Sequence, residues 1–271
     1  MRYSFFLLFV AFLGAACAGN SATPAETAGT RVAVKYVIDG DSMEVTVNGA
    51  SEEVRLLGIN APEGDECFGD KAREALIGFT DGDEAVLIAD ANTDTDRYGR
   101  LLRYAFVDGE NVNKRLLAHG YAVALQGEHE RNAEFVETAR VAADTRLGMW
   151  APDACGPPPP DGIEITAVDY NPPGPDDERL NDESVTIENT RSKQVNLSGW
   201  TLRDESSQNR YELRGVNLKP GERITIHTGC DKDDRDSVYW CSDTPIWSNG
   251  GDTAILQDRH GNVVDWWMYL P

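Results

Sequence analysis

The chain has 271 residues, 41% of them hydrophobic, enough for one or two domains that each bury a core. Its formal net charge is −21, from 46 Asp and Glu against 25 Lys and Arg. That balance excludes a polycation that coats nucleic acid by charge alone, and it favours solubility and cation binding.

The acidity is not a tail. Residues 31–150 carry 13 basic and 23 acidic residues and residues 161–271 carry 11 and 21, so each stretch has a net charge of −10. An even negative field of this kind also resembles proteins adapted to high salt.

Arg2 followed by the twelve-residue apolar run Phe5 to Ala16 reads as an export signal, because the run is too short to span a bilayer. Gly14-Ala15-Ala16-Cys17 favours lipoprotein processing over residues 1–17, with Cys17 as the lipid anchor and a membrane tether. Ala16-Cys17-Ala18 also fits ordinary cleavage to a soluble secreted form. Residues 18–30 are Ala, Gly, Ser and Thr with little else, as in a flexible tether. Removing Cys17 from the five cysteines leaves four, which suits an oxidising compartment. Four cysteines allow three pairings, and the domain layout favours Cys67–Cys155 and Cys230–Cys241. Zinc is the rival reading, but no C-x-x-C spacing supports it.

From residue 31 the pattern alternates strands and helices. Arg31 to Ile38, Met43 to Val47, Glu53 to Ile59, Glu84 to Ala89, Arg100 to Val107 and Tyr121 to Leu125 read as strands. Asp70 to Phe79, Val112 to His119 and Glu130 to Arg146 have helical spacing, and Gly120 and Gly148 stop the last two. Five or so strands with interspersed helices predict a small barrel of OB type over residues 31–156. The prolines at 157–160 are stiff and mark a linker, residues 157–162. Residues 163–271 show six or seven short strands with Gly, Pro and Asn punctuation, which predicts an antiparallel sandwich.

Three segments of the first domain carry polar groups suited to phosphate chemistry. Asp39-Gly40-Asp41 is by itself an ordinary turn, but hard cations take oxygen ligands and a bent carboxylate pair supplies them. Arg55 opens a strand whose end carries Asn60, Ala61, Pro62 and Glu63. Asp96-Arg97-Tyr98-Gly99-Arg100 is a polar loop that opens into the next strand. A metal, a carboxylate base and two guanidinium groups are what phosphodiester hydrolysis needs. Guanidinium matches a phosphate's geometry bidentately, which ammonium does not.

In this order, and with the helix Val112 to Gly120 behind them, these segments resemble the staphylococcal-nuclease or thermonuclease family over residues 31–150. The resemblance implies an OB barrel and calcium-dependent cleavage of DNA and RNA with low sequence specificity. By position it implies Arg55, Glu63 and Arg100 as catalytic residues, with Glu63 as the base or the group that orients water. It implies Asp41, Asn60 and the Ala61 backbone carbonyl as ligands of Ca2+, and Arg97 and Tyr98 as substrate-binding. Asn60 stands where the family usually has Asp, so weaker or altered cation binding is expected. Tyrosines the family carries near Leu125 and Gly127 are missing, and the domain is acidic where the best-known members are basic, so substrate binding should lean on the cation.

In the second domain Leu197 to Asp204, Leu218 to Glu222 and Ile246 to Asp252 resemble the lamin-tail family. That implies an immunoglobulin-like sandwich with a binding role whose partner the sequence does not name. Asp231 to Asp236 reads as a solvated loop, with a cation site as the alternative. The adjacent Trp266 and Trp267 must face opposite sides of a strand. The sequence as a whole predicts an exported or lipid-anchored monomeric nuclease acting on nucleic acid. The alternative is a non-catalytic surface protein that uses barrel and sandwich for recognition.

Overall fold

The computed structural model describes residues 29–81 and 84–271. The expected export signal, Cys17 and nearly all of the tether lie outside the described residues. Among the described residues no helix is long and apolar enough to cross a membrane.

Chain order in the first half is β1 Thr30–Val37, β2 Ser42–Val47, β3 Ala50–Leu56, β4 Ile59–Asn60, α1 Gly69–Thr80, β5 Glu84–Ala89, β6 Leu101–Val107, β7 Glu110–Asn111, α2 Val112–Ala118, β8 Val123–Ala124 and α3 Asn132–Asp144. β1 pairs antiparallel with both β2 and β5, β2 with β3, and β5 with β6. A parallel pairing of β3 with β6 then joins the two ends and closes a five-stranded barrel. Closure removes the sheet edges, and alternate residues such as Met43, Val45, Val54 and Leu56 fill the interior. The expected strand at Tyr121 to Leu125 is only the two-residue β8, which pairs with β4.

α1 buries Ala72, Leu76 and Thr80, a spacing of one helical face, against the barrel. α2 starts at Asn111, whose side chain accepts the Lys114 amide as an N-cap. Its buried Asn113 donates to the Leu57 carbonyl (2.9 Å) and accepts from the Ala105 amide (3.0 Å), pinning the turn after β3 to β6.

The second half holds β9 Ile163–Asp169, β10 Ser184–Asn189, β11 Val195–Asn196, β12 Thr201–Arg203, β13 Arg210–Glu212, β14 Asn217–Leu218, β15 Arg223–His227, β16 Ser237–Tyr239, β17 Asp252–Gln257 and β18 Val263–Tyr269. Two four-stranded sheets, β16-β15-β10-β9 and β13-β12-β17-β18, face each other over Val185, Ile187, Ile224, Ile226, Leu202, Leu256 and the buried Trp200 and Trp247. One pairing departs from the expected antiparallel pattern: β15 and β16 run parallel, because the Asp231–Asp236 segment returns the chain to the start of the sheet. That segment is exposed and turns on its own side chains: Asp234 accepts the Asp236 and Ser237 amides.

The two halves share a third apolar cluster. Val123, Ala142, Ala143, Met149 and Trp150 of the first pack on Ile255, Val263 and Trp266 of the second. Trp150 and Trp266 meet edge to face at 5.9 Å, while Trp267 faces outward, as adjacent strand residues must. Asn262 seals the junction: its Oδ1 accepts the Cys155 amide and its Nδ2 donates to the Pro157 carbonyl. Disulfides join Cys67 to Cys155 and Cys230 to Cys241.

Candidate active site

Barrel closure assembles the site. The β2–β3 register sets Ser42 opposite Arg55, so Asp41 lies at the mouth of the barrel beside Arg55. The β3–β6 register sets Val54 opposite Leu101, which delivers Arg100 to the same end. Three segments far apart in sequence thus border one cleft of about 570 Å³, lined by Asp39, Asp41, Arg55, Asn60, Glu63, Arg97, Tyr98 and Arg100 among others.

Gly40 allows the carboxylate turn to sit tightly. A Cβ there would come within 2.6 Å of both Ala61 and Ala72. Asp41 is buried and fully engaged. Its Oδ1 faces Arg55 Nη1 at 2.5 Å and accepts from Ser42 Oγ, and its Oδ2 accepts the Ala61 amide at 2.6 Å. Burial pushes Asp41 up to about 6; Arg55 opposes that rise and Asp39 adds to it. Arg55 also donates through Nη2 to Asn60 Oδ1 at 2.9 Å.

Asp96 organises the other side. Its Oδ1 accepts the Tyr98 and Arg100 amides and its Oδ2 takes Arg100 Nε at 2.7 Å. Arg100 Nη1 stands 3.7 Å from Glu53. Burial works against the charge on Arg100, but Asp96, Glu53 and Asp41 outweigh it and raise its pKa. Tyr98 is 68% exposed, and the Arg97 and Arg100 guanidiniums lie 4.8 and 5.6 Å from its ring centre. The pair therefore forms an accessible stacking face beside two cations. Glu63 is exposed at the rim, on the loop between β4 and α1.

A hard cation fits the donor chemistry. Asp41 is a buried carboxylate that burial raises despite Arg55, it receives the Ala61 amide, and Asn60 Oδ1 shares the Arg55 guanidinium with it, so oxygen donors meet at this corner. Among the described residues no group of three His, Cys, Asp or Glu forms a ready metal cage. A cation here would accordingly take neutral oxygens and water along with Asp41.

The sequence points to Asp41, Arg55, Asn60, Ala61, Glu63, Arg97, Tyr98 and Arg100, but not to the partners Ser42 and Glu53 or to one further stretch. Ser206, Ser207 and Gln208, from the loop between β12 and β13, form a wall of the same cleft. Behind them Glu205 accepts from Asn60 Nδ2 through its backbone carbonyl and from the Gln126 amide through its carboxylate. Asn60 and Glu205 are 145 residues apart. The only local trace of this wall is the run of small polar residues after a strand.

Two family descriptions match the chain: staphylococcal nuclease homologue over residues 53–152 and Lamin Tail Domain over residues 157–270. Protein ParB of Escherichia coli is 37% identical over 129 residues, which cover 44% of this chain and 71% of that protein. Micrococcal nuclease of Shigella flexneri is 31% identical over 128 residues, covering 44% and 72%. Endonuclease YncB of Bacillus subtilis (strain 168) is 30% identical over 130 residues, covering 44% and 61%, so the chain spans less than two thirds of that relative's length.

Proposed function

We propose, from the premise that this chain belongs to the staphylococcal nuclease family and carries a lamin tail domain behind that unit, that it hydrolyses phosphodiester bonds in DNA or RNA as an exported, calcium-dependent enzyme of low sequence specificity. The observation that carries the reading is the meeting of Arg55, Arg100, Asp41 and Glu63 around one open cleft.

In this reading Arg55 and Arg100 take the non-bridging oxygens of the scissile phosphate. Each guanidinium is already oriented by a carboxylate, Asp41 for Arg55 and Asp96 for Arg100. Pre-oriented donors stabilise charge that builds on phosphorus oxygens without reorganising during the reaction. Glu63 accepts a proton from water as the water oxygen attacks phosphorus and the ester P–O bond breaks; the departing oxygen takes a proton from solvent to leave as the alcohol, and Glu63 returns its own proton to solvent. Asp41, Asn60 and the Ala61 carbonyl would hold calcium, which would supply the positive charge that draws an anionic backbone into an acidic protein. Arg97 and Tyr98 hold a neighbouring nucleotide by charge and stacking.

Export is supported by the apolar run at residues 5–16 and by the two disulfides, which persist in oxidising compartments. Cys17 would serve as the lipid tether, and the chain would act as a monomer. The division into residues 31–156, 157–162 and 163–271 belongs to the same proposal.

Incubation of the purified chain with DNA and calcium, with and without a chelator, tests it. Degradation that stops on chelation is expected, and Glu63→Gln or Arg100→Ala should each lower turnover by about 100- to 1,000-fold. Retention of DNA without cleavage would instead select a recognition protein.

A further inference from the structure

The loop that carries Glu63 does not stand on the barrel alone. The Glu63 amide donates to Glu66 Oε2 at 3.1 Å, and the Glu66 amide donates back to the Glu63 carbonyl at 2.9 Å. Whatever fixes the Glu66 carboxylate therefore fixes the backbone of Glu63. Gly69 tightens the same turn from below, since a Cβ there would lie 2.0 Å from the Glu63 carbonyl oxygen. Cys67 anchors the loop's far end to Cys155.

The Glu66 carboxylate is held from the second half of the molecule. Arg210 Nη2, on β13, contacts Glu66 Oε1, and Arg203 Nη1, on β12, lies 3.9 Å from Oε2. The Arg203 side chain is 2% exposed, so its charge has little water and draws on Glu66 across the junction. The other end of the loop is tied to the same segment through Asn60 and the Glu205 carbonyl.

We propose that Arg210 is a positioning residue of the nuclease centre. Acting through the Glu66 carboxylate, this side chain of the lamin tail domain sets where Glu63 stands, so the phosphodiester cleft is complete only when the second domain is docked. The inference rests on the nuclease reading above for its catalytic consequence. Its structural half, the tie from Arg210 to the Glu63 backbone, stands independently. A residue that only glued two domains together would not need to converge on the one carboxylate that receives the Glu63 amide. The ion pair is also only partly exposed, with Arg210 at 31% and Glu66 at 21%, so it is less screened than a surface pair.

The test uses the full chain with Arg210→Ala, Arg210→Lys and Glu66→Gln. Arg214→Ala is the control, because the Arg214–Glu212 pair on the same hairpin is solvent-exposed and far from the loop's hydrogen bonds. Amide hydrogen exchange and steady-state cleavage of single-stranded DNA with calcium are measured on each. In Arg210→Ala and Glu66→Gln, exchange of the Glu63 and Glu66 amides should speed up about tenfold while barrel amides such as Val54 keep wild-type protection. Turnover should fall by about 10- to 100-fold with KM nearly unchanged, as expected for a misplaced base, and Arg210→Lys should recover most of it. Should Arg210→Ala fail to fold, Arg210→Lys and Glu66→Gln decide alone. Exchange at Glu63 and Glu66 indistinguishable from the Arg214→Ala control overturns the proposal, as does a pure rise in KM. If the wild-type chain cleaves nothing, the nuclease reading fails on its own, and the exchange measurement still decides whether Arg210 holds the loop.

Discussion

Asn60 Nδ2 donates a 3.1 Å hydrogen bond to the backbone carbonyl of Glu205, while Asn60 Oδ1 accepts from Arg55 Nη2 at 2.9 Å. One buried amide thus uses its donor toward the sandwich and its acceptor toward Arg55, the arginine proposed to take the phosphate. A carboxylate in this place could serve Arg55 but would set its lone pairs against the Glu205 carbonyl. The family resemblance implies Asp at this place, and the Asn found here gives the Glu205 carbonyl a donor that an ionised carboxylate lacks. Asn60→Asp should therefore lower stability by about 1–3 kcal/mol, the cost of leaving a buried acceptor unmatched. It should at the same time tighten calcium binding by adding a charged ligand. Denaturant unfolding and calcium titration read the two effects separately, and a variant as stable as wild type would show that the contact is incidental.

Ser206, Ser207 and Gln208 bring a wall of the second domain to the cleft. Ser206 is itself fixed, since its amide and hydroxyl both donate to Asp204 Oδ1. A wall in this place should favour a strand whose bases are already unpaired over a duplex. Extracting a strand from a duplex costs a few kcal/mol, so kcat/KM for single-stranded DNA should exceed that for a matched duplex by about tenfold or more. Competition assays on the two forms at one salt concentration measure the ratio, and equal rates would mean the loop swings clear of the substrate.

Cys67 and Cys155 are 88 residues apart in sequence, and their bond ties the loop after Glu63 to the end of the nuclease unit. Cross-linking a loop of this length restricts the unfolded chain strongly. Replacing both cysteines by Ser should cost about 2–5 kcal/mol. Because Cys67 follows Glu66 directly, the loss should also appear as looser exchange protection at Glu63. Reduction of a variant with Cys230→Ser and Cys241→Ser, in which only the Cys67–Cys155 bond is left to break, followed by thermal unfolding offers a second route to the same number.

Most of the barrel was legible because its strands bury one face and alternate, as β2 does with Met43 and Val45 inside. Asp41, Arg55 and Arg100 were legible as a group through the order of their motifs, but the strand expected over Glu53 to Ile59 with Arg55 near its start is β3 Ala50–Leu56, with Arg55 next to its end, because the turn at Leu57 and Gly58 stops the strand there. What local pattern could not carry were pairings without a periodic signal. β13 and β16 are three residues long and owe their strand character to neighbours rather than to their own composition. The parallel β3–β6 closure leaves no mark on either strand alone. The contribution of Glu205, Ser206 to Gln208 and Arg210 to the cleft depends on docking over sequence distances that local reading does not reach. Arg203 gave one clue in retrospect, as a charged residue in a strand otherwise suited to a core.

The junction also carries a pH dependence. Glu205 and Asp252 are buried side by side at the contact with Gln126: Asp252 Oδ1 accepts the Glu205 and Thr253 amides, and Glu205 receives the Gln126 amide and the Thr253 hydroxyl. Burial raises both carboxyls. Asp252 reaches about 7, with Asp204 adding to the rise, and Glu205 moves the same way with Asp252 as its charged neighbour. A carboxyl raised on folding holds its proton in the native state over a range where the unfolded chain has lost it. Folding then takes up protons, so the contribution to stability is whole below about pH 4, declines as pH rises, and is gone above about 7. Elsewhere the signs differ: burial raises Asp41 despite Arg55, which adds to the same trend, whereas at Asp96 burial is outweighed by the bonds from Arg100, which act in the opposite sense, so the raw profile is a sum. Asp252→Asn removes the Asp252 titration and its charge beside Glu205 together; the amide oxygen can still accept from Thr253, while the Ser248 amide loses its acceptor at a cost that does not vary with pH. The variant should gain stability relative to wild type steadily from about pH 4 to 7 and run parallel to it above, as read from melting temperatures in buffers of constant ionic strength. A constant difference across that window would mean that Asp252 is ionised in the native junction throughout.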